Sequence, residues 1–201
     1  MIPKNIIVTR PVDLTVDGRE IKIIFEGSED AFGNNHLYQL EYNNGQMNWK
    51  ALSGDLGITE AGAGTIMVKY NDQVIIGEQG GDVKGVNPNG EIILLDKINN
   101  LINAFRKEYV KATECASPPY LYTYKGTLIV EWTPVVLEQK EINGQLQQQL
   151  IPIAYITAVK DDRVLGEIKI YKEKMIVIRE GKITQETSLA GWKLPGWQFP
   201  Q

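Results

Sequence analysis

The sequence is short of the side chains on which most metal sites and nucleophilic enzymes depend. Its 201 residues include one cysteine and one histidine. The single cysteine, Cys115, forms no internal disulfide, which fits a reducing compartment. The single histidine, His36, excludes a zinc site with two histidine ligands, and any Ser-His-Asp or Cys-His mechanism would need this one ring. Because His36 follows a loop and has no companion nucleophile, we predict that it is a surface residue.

Positive charge and long apolar runs are also scarce. Lys and Arg total 21 against 25 Asp and Glu, and the formal net charge is -4. No summed positive field therefore attracts a phosphate backbone or an anionic bilayer. The apolar run near the N-terminus is too short for a signal-peptide core, and no run approaches the length of a membrane span. We expect no nucleic-acid partner, no membrane span, no signal peptide, and a cytoplasmic or virion-associated location.

What the sequence does contain is a series of turn signals between short β-branched or aromatic runs. Such signals lie at residues 70–73, 142–145 and 160–163, and this arrangement is typical of β-hairpins. Alternation over residues 20–26 places Ile21, Ile23 and Phe25 on one face of a strand. The predicted fold class is mostly β, an antiparallel barrel or sandwich built as a hairpin meander, with one helix.

That helix is predicted where the hydrophobic period changes. Apolar residues from Ile98 to Tyr109 recur every three or four positions, and Asp96 can cap the N-terminus. We expect one amphipathic helix from about Lys97 to Ala112. Further strands are predicted over 36–42, 46–52, 65–70, 73–78, 91–95, 120–124, 127–142, 145–159, 163–171, 174–179 and 182–187, with loops over 53–64 and 77–90 and a bend, bulge or edge at Pro134.

The loop that ends near residue 90 suggests a division of the chain. Residues 1–90 would form an N-terminal antiparallel β region, and residues 91–201 the helix, the C-terminal β meander and an aromatic tail. One continuous domain with an intervening helix fits equally well, because 201 residues of 43% hydrophobic content can bury a core in either arrangement.

The patterns that come nearest to catalytic or metal-binding motifs have simpler explanations. The loop from Gly85 to Asp96 resembles an EF-hand loop, but glycine occupies the first ligand position and a tight turn explains the same residues. The glycine-rich stretches 62–65 and 77–81 precede no helix and so cannot form a phosphate cradle. We therefore expect no catalytic residue, no metal and no cofactor. A hydrolase with paired carboxylates, drawn from Glu26, Glu41 and Glu131, remains an alternative.

The strongest candidates for function are apolar side chains in the C-terminal tail and at the tip of a long hairpin. Aromatic anchors near a chain end are costly to leave in water and are enriched at interfaces. The tail could cover a sheet face of its own domain or dock on a neighbouring subunit. The hairpin around Asn143-Gly144 is polar and glutamine-rich, and it could equally be an ordinary solvated pair of strands. The predicted interface residues are Trp192, Leu194, Trp197, Phe199, Ile142 and Leu146.

One segment resembles a known family. Pro118-Pro119, an aromatic strand ending at Gly126, the hairpin around Asn143-Gly144 and the returning strand at 151–157 look like a pattern in baseplate and tube-initiator proteins of phage tails and contractile injection systems. The resemblance covers residues 118–159. It is incomplete, because the tryptophan common in that glycine-terminated strand is absent here and Lys125 precedes the glycine. It implies a β-barrel that stacks into rings and has no catalytic residues.

The sequence thus predicts a non-catalytic structural or interaction protein that works as a subunit of a larger assembly. Its expected partners are protein subunits, either copies of itself in a homo-oligomer or neighbours in the assembly. The alternative is a β-barrel or sandwich that binds a small molecule or carbohydrate in a cleft lined by Tyr38, Trp49, Tyr70 or Trp132.

Overall fold

The computed structural model describes residues 6–28, 35–57, 66–78, 82–109, 113–115 and 118–190. They form a mostly antiparallel β structure, 68% strand in several sheets, with one helix, so the predicted fold class is confirmed. Within these ranges no sheet closes into a barrel. None of their helical residues forms a segment long and apolar enough to cross a membrane.

The N-terminal sheet contains four strands paired in sequence order. Its edge strand was not predicted from the sequence. This strand contains Pro11, with register shifts on either side of it. Proline has no amide hydrogen to donate to a neighbouring strand, so it is confined to edges and bulges. The strands are β1 (Ile7–Asp17), β2 (Glu20–Ser28), β3 (Asn35–Asn43) and β4 (Gln46–Ala51).

The middle sheet also has four strands in sequence order. They are β5 (Ile66–Tyr70), β6 (Gln73–Gly77), β7 (Val83–Val86) and β8 (Ile92–Leu94). The prediction of a loop over 77–90 is wrong in its centre, where β7 pairs with β6 and β8. Val83 and Val86 are buried. Packing of these two valines in the core favours a strand here, although the surrounding residues favour turns.

The helix α1 (Asp96–Tyr109) begins at the predicted position. Asp96 lies in its first turn and Arg106 in its last, which complements the helix dipole. Its buried residues are Ile98, Ile102 and Phe105, at the predicted spacing. The predicted end at Ala112 lies outside the described residues.

The C-terminal sheet contains the remaining eight strands, with a main path β10-β11-β13-β14-β15-β16 and with β12 paired to β13 and to β9. Pro134 separates β11 from β12, as the expected interruption required. The strands are β9 (Thr113–Cys115), β10 (Tyr120–Tyr124), β11 (Thr127–Trp132), β12 (Val135–Ile142), β13 (Gln145–Lys160), β14 (Arg163–Tyr171), β15 (Lys174–Arg179) and β16 (Lys182–Ser188).

The two-residue turns explain how these strands reverse direction. Asn44-Gly45 and Asn143-Gly144 have positive φ at both residues, of 49° and 84° and of 54° and 77°. Positive φ at both central residues is the geometry of type I′ turns, which match the twist of a hairpin. All three hairpins predicted from turn signals, at 70–73, 142–145 and 160–163, are present.

The helix covers the inner face of the C-terminal sheet through aromatic contacts. Phe105 stacks on Tyr155, with ring centroids 5.3 Å apart, and meets Trp132 edge-on at 6.0 Å. All three side chains are completely buried. The same cluster includes Ile75 and Val83 of the middle sheet, so the middle sheet, the helix and the C-terminal sheet share one core.

Two further contacts join the sheets. A Cβ atom on Gly77 would lie 2.7 Å from the carbonyl oxygen of Pro119, so only glycine allows β6 to approach the start of β10 this closely. A smaller cluster that includes Ile24, Leu37 and Ile76 packs the N-terminal sheet on the middle sheet. The division of the chain near residue 90 stays a prediction.

We predict that Phe105→Ala destabilises the protein by about 3–5 kcal/mol, because it leaves a cavity between Trp132 and Tyr155. Urea unfolding followed by circular dichroism measures the change. Asn103→Ala, an exposed substitution on the same helix, is the control and should change stability by about 0.5 kcal/mol or less. A loss below about 1 kcal/mol for Phe105→Ala would contradict the packing described.

A second prediction concerns alkaline pH. Burial, and then the neighbouring Glu167 carboxylate, raise the pKa of the Tyr155 phenol above its ordinary value, and the phenol donates a hydrogen bond of 3.0 Å to Glu167. The unfolded chain releases this proton near pH 10 and the folded protein retains it, so stability falls as pH rises above about 10. Tyr155→Phe should reduce the stability lost between pH 8 and pH 11 by about 1.4 kcal/mol. The control Tyr124→Phe, at an exposed ring, should leave that loss unchanged.

Candidate interaction surfaces

The outer half of the N-terminal sheet presents a face made only of apolar side chains. Strand register places two rows of four residues directly across the sheet. Opposite residues of paired strands share a face, and alternate residues of one strand do too. The rows, together called the N-terminal apolar face, are Val16, Ile21, Tyr42 and Met47, and Leu14, Ile23, Leu40 and Trp49.

This face is open to solvent although its reverse is polar. Leu14, Val16 and Met47 expose 63%, 62% and 61% of their surface. On the reverse side, Lys22 lies opposite Glu41. The amphipathic pattern that marks a buried sheet face is therefore present without a covering element among the described residues. Apolar patches of this kind mark sites of interaction with other macromolecules.

Aromatic rings connect the exposed end of the face to its buried end. Trp49 lies 6.0 Å from Tyr38, and Tyr38 stacks on Phe25 at 5.6 Å, measured between ring centroids. Tyr38 and Phe25 are each only 4% exposed. The half-exposed Trp49 is thus held by a rigid aromatic support, which suits it to anchor a partner.

The outer face of the C-terminal sheet is the second large apolar surface. Three tyrosines on the edge strand β10 expose 55%, 43% and 61% of their surface, and the same side of the neighbouring strands carries half-buried isoleucines. The apolar residues of this tyrosine face are Tyr120, Tyr122, Tyr124, Ile129, Ile156, Ile168, Ile170, Met175 and Val177.

One carboxylate lies within the tyrosine face. Glu131 pairs with Tyr120 and Ile156 across the sheet. Partial burial, and then the Glu131 charge, raise the pKa of Tyr122 above its ordinary value. The Tyr122 phenol therefore remains a neutral hydrogen-bond donor at physiological pH, beside apolar side chains, which is the chemistry that protein interfaces enrich.

The hairpin of β12 and β13 extends beyond the sheet as a two-stranded ribbon. Its residues from Gln139 to Gln149 are exposed and pair only with each other among the described strands. At its base, Tyr171 donates a hydrogen bond of 3.1 Å to Glu138. Ile142 lies opposite Gln145 and Leu146 opposite Glu141, so the two predicted interface residues of the tip point to opposite faces of the ribbon.

The other predicted interface residues, Trp192, Leu194, Trp197 and Phe199, lie outside the described residues. The last described residues leave the C-terminal sheet beside the turn between β14 and β15. Leu189 is buried there, and its amide donates a hydrogen bond of 2.6 Å to the carbonyl of Glu173.

The candidate residues for catalysis do not come together. Glu26 is completely buried on β2 and forms a 2.5 Å ion pair with Arg10. Glu41 lies on the same sheet opposite Lys22, about 13 Å along the strand from the Glu26 position at 3.3 Å per residue. Glu131 is on a different sheet. His36 is partly buried near Tyr38, at 6.1 Å between rings.

The loop that resembles an EF-hand is a side-chain-stabilised turn. The side-chain oxygen of Asn87 accepts hydrogen bonds from the amides of Asn89 and Glu91, at 2.9 and 3.0 Å. Gly90 has a φ of 83°, which glycine adopts without strain. Within the described ranges no three potential metal-ligating side chains form a group.

Among the aromatic residues predicted to line a ligand cleft, Tyr70 lies at a cavity. Tyr70 borders a cavity of about 240 Å³ at the start of the helix. Trp132 is completely buried in the core, and Tyr38 supports Trp49 on the N-terminal apolar face. A ligand cleft lined by one or more of these rings stays a prediction.

Comparison with known proteins adds no assignment. No family model, no curated protein and no solved structure matches the chain.

The two apolar faces were missed in the sequence analysis, although their signal is present. The alternation at Ile21, Ile23 and Phe25 was interpreted as one half-buried strand. The same alternation recurs at Leu40 and Tyr42 and at Met47 and Trp49. The sequence predicts more strands with one apolar side than a single helix can cover, so some apolar sheet surface had to remain exposed.

The Arg10–Glu26 pair generates a prediction. Arg10→Met leaves the buried Glu26 carboxylate without its cation, and we expect a loss of about 3–5 kcal/mol in urea unfolding. The double variant Arg10→Met with Glu26→Met should recover most of this loss, because it removes the unpaired charge. Additive losses from the two substitutions would contradict a coupled pair.

Proposed function

We propose that the protein is a non-catalytic interaction subunit that assembles with copies of itself. The observation that carries this proposal is the N-terminal apolar face, whose eight side chains line one side of four strands and of which Leu14, Val16, Tyr42 and Met47 are exposed to water. Burial of exposed apolar surface contributes about 25 cal/mol per Å², so a second chain that covers the face gains stability. The occupant that we propose is the C-terminal segment, residues 191–201, of another copy.

The sequence of this segment suits the face. Trp192 and Leu194 are two residues apart, as are Trp197 and Phe199, so each pair lies on one side of an extended chain. Pro195 supplies no amide hydrogen, which favours covering a face over extending a strand edge. Eleven extended residues span about 36 Å, whereas four strands are only about 14 Å wide between the outer strand axes.

The place where the segment starts favours a second copy over its own chain. It follows Ala190, beside the turn between β14 and β15. One contact of the C-terminal sheet with the middle sheet lies at the opposite end of β14, where the Tyr70 hydroxyl donates to the carbonyl of Val159 at 3.3 Å. The N-terminal sheet packs beyond the middle sheet. Within one chain, the middle sheet therefore separates Ala190 from the N-terminal apolar face. A second copy can place its own N-terminal apolar face beside Ala190.

Charge at the rim is complementary as well. The only ionisable side chain in residues 191–201 is Lys193. Asp17 and Glu20 form the strand pair next to Val16 and Ile21 at the edge of the face. Glu20 already pairs with Lys22 at 3.1 Å, so Asp17 is the carboxylate that Lys193 would meet. An exposed pair of this kind contributes about 0–1 kcal/mol, so it would orient the segment while the aromatic residues supply most of the affinity.

The most specific form of the proposal is a component of a phage tail or a contractile injection system. It is supported by the resemblance over residues 118–159 and by the exposed ribbon of β12 and β13, which reaches beyond its sheet. In such an assembly the ribbon and the tyrosine face would contact neighbouring subunits. Rings seen by negative-stain electron microscopy of the purified protein would support this form, and dispersed single subunits at high concentration would argue against it.

The self-assembly proposal is tested with paired surface variants. Leu14→Lys with Met47→Lys places two charges on the apolar face. Thr15→Lys with Asn48→Lys is the matched control, since it adds the same charges one residue along the same strands, on the polar side. By sedimentation velocity we expect oligomers for the wild type and the control, and monomers for the apolar-face variant with a folding stability changed by about 0.5 kcal/mol or less.

A truncation after Ala190 separates docking on a second copy from docking on its own chain. We expect the truncated protein to be monomeric and folded, and to bind a peptide of residues 190–201. The variant with two lysines on the apolar face, truncated in the same way, should not bind the peptide. A monomeric wild type whose melting temperature falls on truncation would overturn the proposal in favour of a tail that covers its own domain.

A further inference from the structure

A cavity opens where the helix, the middle sheet and the C-terminal sheet meet. Its volume is about 240 Å³. One side is formed by Tyr70 and Gln73 at the turn between β5 and β6, and another by Asp96 and Lys97 at the start of the helix. The end of the hairpin between β13 and β14 closes the third side with Asp162.

The inner wall of the cavity is part of the main core. Ile75, Ile98 and Leu128 line it and are 1%, 4% and 2% exposed. A ligand that enters therefore meets aliphatic side chains in fixed positions. An apolar cavity of about 150 Å³ is known to hold benzene, so a cavity of about 240 Å³ accommodates one six-membered ring and a short substituent.

The rim of the cavity is polar and carries a negative charge. The Lys97 amine donates a hydrogen bond of 2.7 Å to the main-chain carbonyl of Asp162, which ties the helix to the hairpin. Neither the Asp96 nor the Asp162 carboxylate has a hydrogen bond or ion pair with another residue in the described part of the chain. The helix N-terminus adds about half a positive charge. With two carboxylates and one ammonium, the rim keeps about half a negative charge.

Neutral hydrogen-bonding groups complete the rim. The Tyr70 hydroxyl donates to the carbonyl of Val159 at 3.3 Å and accepts from the amide of Asp161 at 3.4 Å. These long contacts fix the phenol without saturating its oxygen, since a hydroxyl has two lone pairs. A bound head group thus finds an acceptor in Tyr70, which lines the same cavity as Asp96 and Asp162.

We infer that this cavity is a binding site for a small primary amine with a single apolar ring, with the ring against Ile75, Ile98 and Leu128 and the ammonium group at the Asp96 and Asp162 carboxylates. The site is separate from both apolar faces. Ligand binding here is therefore independent of self-assembly.

The test uses three probes of one shape and different charge. Benzylamine is a cation at neutral pH, benzyl alcohol is neutral and benzoate is an anion. Each is titrated into the ¹⁵N-labelled full chain at low ionic strength, and amide shifts at the helix start and at residues 159–164 are followed. We expect saturable binding in the millimolar range, as ligand size allows, with benzylamine two- to fivefold tighter than benzyl alcohol, roughly the worth of an exposed ion pair, and benzoate weakest.

Variants assign the binding to this site. Asp96→Asn removes one rim charge with little change in side-chain size and should remove the preference for benzylamine, as should Asp162→Asn. Asp161→Asn is the matched control in the same turn and should retain the preference. Leu94 borders the cavity and is 59% exposed, so Leu94→Trp should narrow the opening and weaken all three probes at least about fivefold with the fold retained.

Three results would overturn the inference. The first is the absence of saturable shifts at the cavity with any probe. The second is equal affinity for the three probes in the wild-type chain. The third is an equal loss of preference in Asp161→Asn and Asp162→Asn, which would show a general charge effect instead of a site.

Discussion

A β-sheet has two faces to protect from water, and the residues that the structure describes supply one helix to cover three sheets. The helix covers the inner face of the C-terminal sheet, where Phe105 fits between Trp132 and Tyr155. The middle sheet shares that core on one side and packs on the N-terminal sheet on the other. This arrangement leaves no covering element for the outer half of the N-terminal sheet or for the tyrosine face in the described part of the chain. The surplus of apolar faces underlies the proposed function.

Local sequence signals predicted most of the elements. The turns at Asn43-Asn44-Gly45 and Asn143-Gly144 were readable because positive φ favours asparagine and glycine. The helix was readable because Ile98, Ile102 and Phe105 share one side of a 3.6-residue period. Strand β1 was not predicted because Pro11 interrupts the strand pattern at an edge. Strand β7 was not predicted because its two buried valines lie among turn residues.

The functional surfaces were harder to predict than the elements. Alternation in a single strand shows that one face is apolar, but it does not show whether another element covers that face. The register that aligns Leu14 with Ile23, Leu40 and Trp49 involves three strand pairs, and the cavity beside Tyr70 joins residues from Tyr70 to Val164. Such long-range neighbours are fixed by tertiary packing. The tail aromatics, in contrast, stand out by composition alone.

The edge strand β1 has a further consequence for the geometry of any assembly. An unprotected edge invites another strand to add to the ladder, and successive additions build fibrils with a 4.8 Å repeat. Pro11 and the register shifts on either side of it interrupt the hydrogen-bonding groups along that edge, which is how natural sheets discourage such growth. If two copies instead pack through the side chains of their sheet faces, the two sheets lie about 10 Å apart. In the proposed assembly, amyloid-like growth by strand addition at β1 is thereby disfavoured.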